Sequence, residues 1–170
     1  MKRKGIYNLI LSAVFIALGL VLPFLTEQIP EIGKRLLPMH IPVLLCGFIC
    51  GGPYGFAVGV ITPLLRSLIF ASPPFYPIAV AMAFELAAYG FLSGVLYKYF
   101  PKKSTYIYLA LILSMIGGRI VWGGAQLILL GLQNKTFTWK MFMAGAVYDA
   151  IPGIVVQLIL IPFLLIALKD

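Results

Sequence analysis

Long apolar runs separated by short polar clusters dominate this chain, and their lengths predict helices that cross a bilayer. Residues 6–25 form the first run, about twenty residues or roughly 30 Å as a helix, which matches the hydrocarbon thickness of a membrane. Further runs at 54–70, 77–99, 106–132 and 142–168 predict four more such helices. The apolar stretch at 40–50 is different: as a helix it reaches only about 16 Å, too short to span alone, and it stops at the strong breaker Gly51-Gly52-Pro53. Residues 26–38 form the longest polar connection, with Glu27, Glu31, Lys34, Arg35, Pro30 and Pro38, and 71–76 form a tight turn around Ser72-Pro73-Pro74. The pattern predicts an all-α integral membrane protein, a six-helix transmembrane bundle with a short second helix, built as a single domain over residues 1–170.

Composition agrees. The chain is 62% hydrophobic and 11% charged, with mean hydropathy +1.04. Soluble domains carry about 25% charged residues, because they must cover an exterior that meets water. Lipid removes that requirement. The basic residues at the amino end are followed by an apolar run, as in a signal peptide, but the run is long and no small-x-small cleavage site follows it, so a retained helix is expected.

The net charge of +8 falls at the flanks of the apolar runs. Lys2, Arg3 and Lys4 precede the first run, and Lys98, Lys102 and Lys103 lie between the fourth and fifth. No long basic helix or basic-aromatic patch could track phosphates, so no nucleic-acid partner is expected. The positive-inside rule instead places these clusters and Lys169 in the cytoplasm, with both termini. Lys135 and Lys140, in the loop at 133–141, fall outside and dissent mildly.

Charge inside the apolar runs is expensive, so each instance points to function. Arg66, Glu85 and Asp149 are expected in the outer half of the bilayer and Arg119 near the middle of its helix; His40 and Gln126 lie at outer levels too. These positions suggest a polar cavity opening outward, with Tyr76, Phe84, Tyr89, Trp122 and Tyr148 near the same levels as apolar or stacking walls. The competing reading is that two arginines and two acids neutralise one another and fix the bundle, which is most apt for Arg119. The aromatics could equally be packing or interface anchors, and His40 an interfacial hydrogen-bonding residue.

Small residues recur four apart: Ala13 and Ala17, Gly55 and Gly59, Ala83 and Ala87, Gly90 and Gly94. Such faces let helices approach closely in lipid. Packing inside the bundle accounts for most, and one face could serve a partner protein. Cys46 and Cys50, one turn apart in an apolar stretch, read as small hydrophobes, because no further ligands gather nearby to hold a metal. With one histidine and no HExxH, GxSxG, Walker loop or paired acidic motif, the chain is not expected to be an enzyme or to need a cofactor or metal.

Several stretches together give a resemblance covering nearly the whole chain. Ala13-x-x-x-Ala17, Leu37-Pro-Met-His-Ile-Pro-Val-Leu-Leu-Cys-Gly47 and Gly51-Gly-Pro-Tyr-Gly-Phe-Ala-Val-Gly59 resemble the docking motif, short second helix, inner turn and third helix of the substrate-binding S components of energy-coupling factor (ECF) vitamin transporters. Ile61-Thr-Pro-Leu-Leu-Arg66, Met82-Ala-Phe-Glu85 and Tyr148-Asp-Ala-Ile-Pro-Gly153 are similar to the pantothenate-type branch. The resemblance implies a passive subunit in a prokaryotic plasma membrane. It would capture a small vitamin from outside, then dock on a transmembrane scaffold protein and two cytosolic ATPases that drive inward release. It further implies docking through Ala13 and Ala17, with the inner parts of the second and third helices, and lids at 26–38 and 71–76.

Pantothenate carries a carboxylate, for which Arg66 is the better-placed cation; its hydroxyls and amide would suit Glu85, Asp149, Gln126 and His40. The two acids would equally suit a pyridoxine- or pyrimidine-type vitamin, and riboflavin or folate would want a larger aromatic cavity. An autonomous ion-coupled carrier, with Glu85 and Asp149 as proton or cation sites, is the alternative of a different class; no inverted repeat supports it.

Overall fold

The structure, a computed structural model, describes residues 2–26, 35–101 and 103–168. Glu27, Pro30, Glu31, Lys34, Lys102 and Lys169 therefore lie outside the described residues. Among the described residues six helices follow one another: α1 (Lys2–Thr26), α2 (His40–Cys50), α3 (Gly52–Phe70), α4 (Phe75–Tyr99), α5 (Ser104–Gly131) and α6 (Trp139–Ala167). All but α2 are long and apolar enough to cross a membrane. The chain is thus an all-α bundle of the membrane type, with the short second helix that its hydropathy demands.

Helix α2 can be short because it is not a wall of the bundle. Val43, Leu44, Leu45, Cys46 and Phe48 are buried, and α1, α3 and α4 pack around it. Its ends are satisfied locally: the Gly51 N–H donates to the Gly47 carbonyl at 3.0 Å, and the His40 N–H to Leu37 at 3.0 Å. Gly51 has φ 99°, a conformation that an L side chain resists, and this residue turns the chain directly from α2 into α3.

Glycine also sets the spacing of the core. A Cβ on Gly90 would collide with the Gly55 carbonyl, one on Gly59 with that of Leu86, and one on Gly94 with the Gly52 backbone. The small-residue repeats of α3 and α4 therefore face each other inside the molecule, as packing in lipid favours. Ala83 and Ala87 are buried on α4. Ala13 and Ala17 are the exception: both are exposed on α1, beside exposed Ile10, Val14 and Leu18. At the other edge of α1 the Asn8 amide donates to the Cys50 carbonyl at 3.3 Å, and the Tyr54 hydroxyl to Gly5 at 3.4 Å.

Prolines shape the two helices that start irregularly. At the head of α4 the turn is wider than α-helical, and the Ala79 N–H reaches back to Pro74 at 3.0 Å. Helix α6 is interrupted at Asp149–Ala150, where the sequence suggested continuous helix. Pro152 has no N–H for the Tyr148 carbonyl, and the N–H groups of Asp149 and Ala150 reach back to Ala144 and Val147 instead, so the α-helical ladder lapses there and resumes at Ile151.

Candidate functional site

The Ser72–Pro74 end of the bundle holds a cavity of about 320 Å³ between α1, α2, α3 and the head of α4. Pro23, Met39, His40, Arg66, Pro74 and Met82 are among its lining residues. The size suits a small organic ligand, near the lower end of ordinary ligand sites. Two of the charged or polar candidates, His40 and Arg66, lie on its wall.

Arg66 is 1% exposed, about one turn from the end of α3. Its Nη1 donates to the Leu20 carbonyl of α1 at 2.7 Å. The guanidinium lies over Phe24, 4.7 Å from the ring centroid, and near Phe70 at 5.5 Å. Two aromatic faces thus stabilise the charge where water is scarce, each by cation–π attraction. Arg66 is therefore a clamp between α3 and α1 as well as a cavity wall.

His40 leads from the cavity to a buried polar cluster. On α4, Glu85 sits one turn deeper than Met82 and is 2% exposed. Its Oε1 is 2.9 Å from Arg119 Nη1 on α5 and 3.4 Å from His40 Nε2 on α2. Neither contact has the alignment of a directed hydrogen bond. Both ring nitrogens of His40, and Nε and Nη2 of Arg119, are buried without a hydrogen-bond partner. Tyr89, one turn below Glu85, meets the imidazole edge-on at 5.2 Å and is fully enclosed. Gly118 on α5 leaves room for the Tyr89 ring; a Cβ there would come within 2.9 Å of it. Three helices therefore bring four of the sequence candidates together: His40, Glu85, Tyr89 and Arg119.

The remaining candidates stand apart from this cluster. Tyr76 is largely exposed and donates through its hydroxyl to the Leu129 carbonyl at 2.9 Å, tying the head of α4 to the end of α5. Trp122 belongs to an aromatic group between α5 and α6, with Phe137 at 5.9 Å and Phe142 at 6.2 Å. Phe84 is exposed. Gln126 is buried on α5, two turns beyond Arg119 toward the Ser72–Pro74 end. Tyr148 and Asp149 lie at the break in α6, both exposed, and Asp149 faces Arg35 at 3.6 Å. Asp149 is thus in an exposed pair at the break.

Gln157 was not singled out by its sequence position. It is 1% exposed on α6, one turn below Gly153, and its amide nitrogen has no partner. Gly153 packs against Leu37 and the Arg35 backbone, so this face of α6 turns toward the start of α2. The available signal was an amide inside an otherwise apolar run, Ile154 to Ala167.

Among the described residues no group of three or more His, Cys, Asp or Glu side chains could hold a metal ion. No curated protein and no solved structure matched the chain. One family does: "ECF transporter, substrate-specific component" matches residues 7–165. A match over nearly the whole chain, on a bundle of five spanning helices around a short sixth, means that this protein belongs to the ECF transporter substrate-specific component family.

Proposed function

We propose that this chain captures a small water-soluble vitamin, with pantothenate the leading candidate, in the cavity at the Ser72–Pro74 end. Family membership makes it the substrate-specific subunit of an ECF transporter and not an enzyme. The observation that carries the ligand reading is the cavity itself, bounded by His40 and Arg66 and backed by the Glu85–Arg119 pair. A neutral or cationic pyridoxine- or pyrimidine-type vitamin is the second choice, favoured by the carboxylate of Glu85 beside that wall.

The cavity end faces outward and both termini lie in the cytoplasm of a prokaryotic cell, which puts Lys4, Lys98 and Lys103 on the positive side. The cavity would fill from outside, under the connection at 26–38 and the turn at 71–76. A membrane scaffold and two ATPases then supply the drive, because the chain carries no nucleotide motif. The scaffold would meet α1 along Ala13 and Ala17, with the inner parts of α2 and α3. What supports this face is its exposure: α1 is the least buried of the five long helices, and Ala13 and Ala17 are exposed on it.

A thermal-shift or native mass spectrometry screen of the purified protein against the B vitamins tests the reading. A single vitamin should stabilise the chain without ATP, and uptake should require scaffold and ATPases. Gradient-driven flux through this chain alone in liposomes would overturn it.

A further inference from the structure

The donors left open in the buried cluster have a definite shape. Arg119 meets Glu85 through Nη1, 2.9 Å from Oε1. Its Nε and Nη2, the two N–H groups along the side edge of the guanidinium, are buried with no partner. Two parallel N–H donors on that edge match the two oxygens of a carboxylate. Beside them His40 makes no directed hydrogen bond through either ring nitrogen, Nε2 standing 3.4 Å from Glu85 Oε1, and one of the two carries a proton in either neutral form. Buried donors are rarely left open, and here they belong to two side chains that flank Glu85 Oε1, one of which, His40, lines the cavity. A Glu85–Arg119 pair that served only to neutralise charge would leave these two N–H groups unaccounted for.

Resting on the substrate-capture reading above, we infer that the ligand carries a carboxylate, and that Arg119 binds it through Nε and Nη2 with His40 as a third donor. Arg66 is the less suitable anchor, because Leu20 and the rings of Phe24 and Phe70 already hold its guanidinium. The apolar body of the ligand then lies against Pro23, Met39 and Met82. Glu85 has its own part. It offsets the charge of Arg119 without occupying the fork, so the anion is held by directed hydrogen bonds and not by a bare cation. A subunit that must release its cargo inward benefits from that moderation. It also sets specificity: a neutral amide or alcohol in place of the carboxylate cannot satisfy both fork donors, and open buried donors penalise such a ligand.

The test uses the full chain in detergent or nanodiscs with matched probes: pantothenate against panthenol, and nicotinate against nicotinamide. The member of the pair that binds should be the acid, with the neutral partner weaker by about 10- to 100-fold. Arg119→Lys keeps the charge and removes the fork, and should weaken the acid by a similar factor, bringing acid and neutral partner close to equal affinity. Should Arg119→Lys not fold, the acid–neutral comparison on the wild-type chain decides alone. Equal affinity for acid and neutral partners, or tight binding of a vitamin without a carboxylate, would overturn the inference and leave vitamin capture standing. No stabilisation by any B vitamin would overturn vitamin capture itself, and the inference with it.

Discussion

Glu85 on α4 and Arg119 on α5 form an ion pair of 2.9 Å that is closed off from solvent on the glutamate side, with Glu85 2% and Arg119 12% exposed. An unmatched charge buried there has little water to solvate it. Glu85→Ala should therefore destabilise the protein by about 3–5 kcal/mol, because it strands the guanidinium. The double substitution Glu85→Met/Arg119→Met should recover most of that loss. Thermal or denaturant unfolding in detergent reads both; equal destabilisation by the single and double variants would mean the pair is not what the fold depends on there.

Gly90→Ala should cost about 1–3 kcal/mol, since its added methyl meets the Gly55 carbonyl and forces α3 and α4 apart. Gly124→Ala is the control. A Cβ there meets nothing within 4 Å, and the helix should gain about 0.5–1 kcal/mol from the lower backbone entropy of alanine. Unfolding midpoints of the two variants should move in opposite directions.

The pair Ala13→Trp and Ala17→Trp enlarges an exposed surface without touching the core. The vitamin-binding midpoint and melting temperature should stay near wild type, while uptake in cells or proteoliposomes containing scaffold and ATPases should be lost. Intact uptake would move the docking face elsewhere.

Asp149→Asn should leave stability within about 1 kcal/mol. Its partner Arg35 is 3.6 Å away, and both side chains are more than half exposed, where water screens the attraction. Vitamin affinity should likewise change little, in contrast to a substitution at Arg119. A loss of binding comparable to that of Arg119→Lys would put Asp149 in the site.

Much of the fold was legible because hydropathy is a local property. The five long runs and the short sixth can be counted from residue types, and Gly51-Gly52-Pro53 marks the turn between α2 and α3. The interruption of α6 had a visible cause in Pro152, yet the run around it is so apolar that continuous helix was the simpler expectation. The site was legible only as a set of misplaced polar residues. His40, Glu85 and Arg119 stood out because membrane interiors exclude such groups without reason. Asp149 stood out equally and proved to face Arg35 at the surface, while Gln157, a milder anomaly, is among the most buried side chains.

The sequence by itself determined that this is a helical membrane protein, how many segments it has, and which polar residues need an explanation. Those conclusions follow from the cost of leaving charge and backbone hydrogen bonds in lipid, a cost each segment incurs on its own. Only the tertiary structure decided which polar groups meet. Glu85 and Arg119 lie 34 positions apart, and His40 another 45 before Glu85, so their contact depends on how α2, α4 and α5 rotate and cross. That rotation is set by close backbone approaches at Gly55, Gly59, Gly90 and Gly94. Small residues announce that helices will touch; which face each presents is fixed when all of them pack at once.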